Sequence, residues 1–269
     1  MEIKRIDSSA NPLIKEWARW QSKANDRRKA GVVVVEGLRE VERALQSGWV
    51  PRHVAVRAGS ALSSQTLQQQ WGIPGRVLVE LGGPAWEKLA VRDGVDNVLA
   101  VFEAPQASLA QLPSPQRGLV LVAVETEKPG NLGALLRTAD AVGVDAVLLV
   151  DPVCDPWNPQ VARNSLGGLF HVPLAVCTAL EARTWLQAQG LTLVLGHLEA
   201  TQEHTQASLS GPVAVVVGPE DRGLSPDWDQ KEALRVKIPM RGLVDSLNVS
   251  VSAAVLLYEV DRQQQASKV

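Results

Sequence analysis

The chain has 269 residues, 45% hydrophobic and 21% charged, a globular composition that excludes intrinsic disorder, a collagen-like repeat and a disulfide scaffold. The net charge of −2 is unevenly divided. Residues 1–100 carry 15 basic and 11 acidic side chains, net +4, whereas residues 101–269 carry 12 and 18, net −6. A basic front half, with Arg27, Arg28 and Lys29 in succession, suits a polyanionic partner; the plain alternative is a solvated surface with a small excess.

In chain order, the start MEIKRIDSSANPLIKEW lacks the apolar centre of a signal peptide. No apolar run reaches the roughly 18 residues of a membrane span, so a cytoplasmic protein is expected. Gly31-Val-Val-Val-Val-Glu36 reads as a buried strand leading into Leu38, Val41, Ala44 and Leu45 at helical spacing, stopped at Gly48. The pattern predicts further strands over 53–57, 76–80 and 97–102 and helices over 61–71 and 84–90, a small sheet covered by helices. Residues 104–117, APQASLAQLPSPQR, hold three prolines and no periodicity, which is linker composition.

Behind the linker, strands are predicted over 119–124, 146–150, 191–195, 213–217 and 236–239, and helices over 132–142, 179–189 and 248–263. Continuous apolar strands alternating with helices indicate an α/β fold whose sheet is mostly parallel and covered on both faces. In such sheets ligands bind beyond the carboxyl ends of the strands. Cys154 and Cys177 have neither metal-ligand spacing nor a disulfide framework, and His53, His171, His197 and His204 show no paired ligand spacing, so no metal is expected. Trp17, Trp20, Trp49, Trp71 and Trp86 suit core packing better than base stacking.

Three loops look unlike packing. Glu127-Lys-Pro-Gly-Asn-Leu-Gly133 opens the helix that carries Arg137. Its glycines allow close backbone approach, Asn131 is a good helix cap, and the helix start suits an anion; a plain capped helix with a solvated arginine is the alternative. Gly218-Pro-Glu-Asp-Arg-Gly-Leu-Ser225 follows a strand and combines a carboxylate with a guanidinium. There Glu220 either serves a ligand, caps a helix or is an ordinary surface acid. Ile238-Pro-Met-Arg-Gly-Leu-Val-Asp-Ser-Leu-Asn-Val-Ser-Val-Ser252 leads into the last helix. Ser246 or Asn248 suits its cap, but Ser246, Asn248, Ser250 and Ser252 are more polar groups than a cap needs.

Taken together, KPGNLGALLRTADAVGV with Asn131 and Arg137, VVVGPEDRGLS with Glu220, and VKIPMRGLVDSLNVSVSAAVLLYE resemble the three motifs of the SpoU/TrmH methyltransferases of the SPOUT superfamily. The likeness spans roughly 118–262. Residues 1–105 resemble, more loosely, the α/β/α substrate-binding domain found in front of many ribosomal RNA members. The resemblance implies an RNA substrate-binding domain over 1–105, a linker over 106–117 and a trefoil-knotted methyltransferase domain over 118–269. It implies transfer of methyl from S-adenosylmethionine to a ribose 2′-hydroxyl of RNA, with large-subunit ribosomal RNA as the expected substrate and a homodimer formed through the C-terminal domain.

By the same resemblance, Arg137, Asn131, Glu220, Ser246 and Asn248 are the catalytic candidates. Gly218, Ile238, Met240, Ser246 and Leu247 are the cofactor contacts, and Arg163 or Asn164 is a candidate for facing the substrate. Transfer RNA is the alternative substrate, although the members acting on it usually lack such a front domain. A non-catalytic RNA-binding relative is a second alternative, opposed by the intact set of five motif residues. A dinucleotide-dependent enzyme fails for want of a G-x-G-x-x-G turn after a strand.

Overall fold

The computed structural model describes residues 3–91, 97–219, 222–229 and 232–267. The chain forms two compact units: residues Met1–Pro105 with Trp157–Phe170, and residues Gln106–Pro156 with His171–Val269.

The first unit is built on a five-stranded mixed sheet of order β1-β4-β3-β5-β2. Its strands are β1 (Lys4–Ile6), β2 (Val32–Glu36), β3 (Pro51–Arg57), β4 (Leu78–Leu81) and β5 (Val98–Glu103), with β5 antiparallel to both β2 and β3. Helices α1 (Pro12–Ser22), α2 (Ala24–Ala30), α3 (Leu38–Gln46), α4 (Ser64–Trp71) and α5 (Gly83–Leu89) alternate with them. One face of the sheet buries Val32, Val34, Leu99 and Val101 against Ile14, Trp17, Trp20 and Trp86. Of the five front tryptophans, Trp17, Trp20 and Trp86 are thus core residues.

The basic run is less exposed than its sequence suggests. Arg27 is buried, and its Nη1 donates to the carbonyls of Trp20 and Gln21 at the end of α1. Lys15, Arg19, Lys23, Arg28 and Lys29 remain exposed on α1, the turn after it and α2.

Segment 157–170, which the sequence places in the back half, joins the first unit. It contains α7 (Pro159–Asn164) and the start of α8 (Gly168–His171). Two interactions explain the assignment. Trp49 packs edge-on against both Trp157 and Phe170, and the Arg163 Nη2 meets the Glu36 carboxylate at 2.6 Å. Arg163, a candidate for facing the substrate, is thus engaged inside this unit by its ion pair with Glu36.

The second unit holds a seven-stranded sheet of order β10-β12-β9-β11-β6-β7-β8, in which every neighbouring pair is parallel. The strands are β6 (Leu119–Val124), β7 (Ala146–Val150), β8 (Leu174–Cys177), β9 (Thr192–Gly196), β10 (Gln202–Glu203), β11 (Val213–Val217) and β12 (Leu234–Lys237). All residues of β6, β7 and β11 are buried, as the continuous apolar runs require of strands covered on both faces. Helices α6 (Pro129–Val142), α9 (Ala179–Ala188) and α10 (Val249–Ala266) cover them.

Polar bolts fix the far half of α10. Arg117 pairs with Asp261, the Gln263 Nε2 donates to the Ala207 carbonyl at 3.0 Å, and the Gln264 Nε2 donates to the Gly211 carbonyl at 3.0 Å. Both cysteines are buried and neither forms a disulfide among the described residues, and burial, followed by Glu181 and Asp151, pushes the Cys177 thiol up to about 12. No helix among the described residues is long and apolar enough to cross a membrane.

One packing choice makes the first unit sensitive to pH. His53, at the start of β3, lies with its ring 5.2 Å from that of Trp17, and its Nδ1 is buried without a hydrogen-bond partner among the described residues. Burial first, then Lys4 and Arg52, against the opposing Glu16, hold its imidazole below the usual value of 6.5. The fold thus favours the neutral ring, the unfolded chain binds the extra proton, and stability falls as pH drops through that value. The urea midpoint, followed by tryptophan fluorescence, is expected to fall between about pH 7 and about pH 5. His53→Gln should flatten that fall; an unchanged slope in the variant would assign it to other groups.

Candidate active site

Because all seven strands of the second unit run parallel, their carboxyl ends share one edge, and the loops leaving four of them meet there. The loops after β9, β11 and β12 and the first turns of α10 enclose a cavity of about 420 Å³. Gly218 ends β11 at a point where a Cβ would come within 2.9 Å of the Leu224 Cδ2 and 3.1 Å of the Gly223 carbonyl. Only a bare backbone fits the turn. Gly196 plays the same part at the end of β9, where a Cβ would meet the Leu256 side chain of α10 at 3.2 Å. These close approaches draw the helix and the two loops around one space.

A second cavity of about 200 Å³ adjoins the first through the shared residues Gly218, Pro219 and Val249. The end of β6, residues 124–128, and Asn131 form its other wall. Glu125 sits there with φ 48°, in the left-handed region that non-glycine residues enter at a cost. Its carboxylate receives the Arg222 guanidinium, which also lies 3.8 Å from Glu127. That pair ties the loop after β6 to the loop after β11.

The residues singled out from sequence fall as follows. Gly218, Ile238, Met240, Ser246 and Leu247 all line the larger cavity. Asn131 lines the smaller one but does not cap its helix. α6 begins two residues earlier at Pro129, with Lys128 in the cap position and no side-chain cap bond, so the Asn131 side chain is released for another use. Its Oδ1 accepts from the Asn248 Nδ2 at 3.1 Å.

Asn248 does cap its own helix, its Oδ1 accepting from the backbone N–H and hydroxyl of Ser250 at 3.0 and 2.6 Å. The two asparagines thereby join the starts of α6 and α10 over the strand ends. Ser246 is exposed and donates to Asp245 at 3.3 Å. Arg137 lies in the third turn of α6, exposed, with no hydrogen bond or ion pair among the described residues. It lines neither cavity. Glu220 lies outside the described residues.

Sequence reasoning passed over two walls. The loop after β9, Gly196 to Glu199, closes the larger cavity; the rule that ligands sit beyond strand ends in parallel sheets was the available signal. Glu125 and Arg222 had no such signal, since a positive φ at a glutamate and an ion pair across 97 residues leave no local pattern. Among the described residues no group of three His, Cys, Asp or Glu could hold a metal ion.

With this geometry in hand, comparison with known proteins is decisive. Residues 118–258 match the model of the SpoU rRNA Methylase family, and residues 11–116 match that of the MRM3-like substrate binding domain. The chain belongs to the SpoU rRNA methylase family. It is 30% identical to the 23S rRNA (guanosine(2553)-2′-O)-methyltransferase RlmP of Bacillus subtilis, over 96% of this chain and 99% of that one. A crystal structure of an RNA 2′-O ribose methyltransferase superposes with TM-score 0.82 at 41% identity, covering 97% and 99% of the two chains. An rRNA methyltransferase of Sinorhizobium meliloti, solved with bound AdoMet, superposes with TM-score 0.86 at 25% identity, covering 97% and 98%.

The residues present fit S-adenosylmethionine, the methyl donor of this family. The larger cavity has the size of a small-molecule site, with Leu198, Val217 and Leu256 among its apolar lining and Gly218, Ile238 and Leu247 lining it as well. Gly218→Ala inserts a methyl group into the turn of β11, and overpacking of this kind costs about 1–3 kcal/mol. Affinity for S-adenosylmethionine, measured by titration calorimetry, should therefore fall roughly tenfold. An unchanged affinity would remove Gly218 from the cofactor wall.

Proposed function

We propose that this chain transfers the methyl group of S-adenosylmethionine to a ribose 2′-hydroxyl of large-subunit ribosomal RNA. The observation that carries the reading is the pair of adjoining cavities over one sheet edge, one sized for the cofactor and the other beside the asparagine that opens α6, in a chain of this family. In this reading residues 1–105 form the RNA substrate-binding domain, 106–117 the linker and 118–269 the methyltransferase domain. RNA capture rests on the exposed lysines and arginines of α1 and α2, because the net charge of residues 101–269 is −6. The place of action is the cytoplasm.

The donor, when bound, supplies an electrophilic methyl on a positive sulfur. The remaining work falls to the protein. A guanidinium resists deprotonation, so Arg137 acts as a clamp on an RNA phosphate and as a stabiliser of the developing alkoxide rather than as a base, and the 2′-hydroxyl proton leaves to water as the methyl arrives. Asn131 and Asn248, bonded to one another, hold the ribose between α6 and α10. Ser246, Leu247 and the backbone around Gly218 orient the donor, and Glu220 completes the catalytic set.

The trefoil knot belongs to the same reading, in which the Asn131–Asn248 bond brings the start of α10, which follows β12, to the start of α6, which follows β6.

The enzyme works as a homodimer through this domain. Val251 and Tyr258, seven residues apart on α10, are 47% and 51% exposed, and Leu243 and Val244 of the neighbouring loop are fully and largely exposed. Apolar side chains collected beside a site mark an interface. Tyr258→Arg should shift the sedimentation of the protein from dimer to monomer; a dimer that persists would place the interface elsewhere.

The test of the reaction is methyl transfer from labelled S-adenosylmethionine to RNA fractions from cells lacking this protein. Label in large-subunit ribosomal RNA at a ribose is the expected result, and label in transfer RNA would overturn the substrate. Arg137→Ala should leave cofactor affinity intact and lower the rate about 10²–10³-fold. Weakened cofactor binding with normal turnover at saturation would defeat its assignment.

A further inference from the structure

We propose that Glu125 selects the base of the methylated nucleotide and that this base is guanine, an inference resting on the ribose methyltransferase reading above. The smaller cavity shares a wall with the cofactor cavity through Gly218, Pro219 and Val249. In that reading a ribose held at that wall, beside the bonded Asn131–Asn248 pair, places its base at the smaller cavity, whose far wall is the end of β6. RNA-modifying and RNA-reading proteins identify such unstacked bases through their Watson–Crick edges.

Among the polar side chains that line the smaller cavity, Glu125, Thr126, Glu127, Lys128 and Asn131, the Glu125 carboxylate is the less exposed of the two acids and is fixed from two sides. Its backbone N–H donates to the Val150 carbonyl at 2.8 Å, its φ is 48°, and its Oε2 receives Arg222. The Oε1 makes no hydrogen bond among the described residues, and the Oε2 keeps a further lone pair. A carboxylate accepts and never donates, and it repels phosphate. The group it suits is therefore a base edge carrying two N–H donors side by side. Guanine has that edge, with N1–H next to the N2 amino group. Uracil offers one N–H flanked by two carbonyl oxygens, and adenine and cytosine each set an amino group beside a ring nitrogen that is itself an acceptor. Three of the four bases thus turn at least one lone pair toward Glu125.

The test uses the full-length protein, labelled S-adenosylmethionine and unmodified large-subunit ribosomal RNA, followed by digestion to nucleosides. Label is expected in 2′-O-methylguanosine. A synthetic RNA carrying the mapped nucleotide as guanosine or as inosine, which lacks the N2 amino group, then isolates the contact. The native protein should methylate the guanosine form about tenfold faster or more, the usual worth of a bidentate base contact. Glu125→Gln, whose amide sets a donor against a donor, should lose most of that preference while still binding S-adenosylmethionine. Label in 2′-O-methyluridine, cytidine or adenosine overturns this inference and leaves the reaction standing, as does a preference for guanosine over inosine that is unchanged in the variant. Absence of any labelled nucleoside overturns both.

Discussion

Strands laid side by side in one direction bring all their carboxyl ends to one edge, and the second unit depends on that constraint. Four of the seven loops at this edge, after β6, β9, β11 and β12, come together, although they are separated by up to about half of the chain. A parallel sheet requires a crossover between neighbouring strands, and here the crossovers are where the chemistry sits. The glycines at 196 and 218 matter because they let loops and helix close on one space rather than because they loosen the backbone.

The asparagine pair shows how this edge is made into a site. Asn248 spends its carbonyl on the end of its own helix and its amide on Asn131, so one side chain both starts α10 and joins it to α6. Asn131 can receive that bond because α6 starts at Pro129 and needs nothing from it. Family membership then gives the geometry its chemical meaning. Methyl transfer to a ribose requires two ligands to share a boundary, and the wall common to the two cavities supplies one.

The strands of the second unit were largely legible: 119–124, 146–150 and 213–217 match β6, β7 and β11 residue for residue, because a strand buried on both faces leaves an unbroken apolar run. The five residues expected from motif resemblance to contact the cofactor all line the larger cavity. What escaped was short or non-local. β1 and β10 have three and two residues, too few for a period, and α1 and α2 were overlooked although Ile14, Trp17 and Trp20 fall at helical spacing on α1. Arg27 looked like surface charge because nothing in Asn-Asp-Arg-Arg-Lys tells which arginine will turn inward to two carbonyls. The docking of 157–170 on the first unit depends on Trp49 and Glu36, more than a hundred residues away.

The polar bolts on α10 bear on how the molecule comes into being. Arg117, Ala207 and Gly211 anchor the far half of that helix, while its near half supplies Val249 and Ser252 to the cofactor cavity and Asn248 to Asn131. Among the described residues this helix follows every other element, so a growing chain displays the whole seven-stranded sheet before the part that completes its binding site exists. Contacts so distant in sequence form late and slowly. A chain ending before Asn248 carries all seven strands but lacks one wall of the larger cavity, so closure of that cavity waits on the last helix.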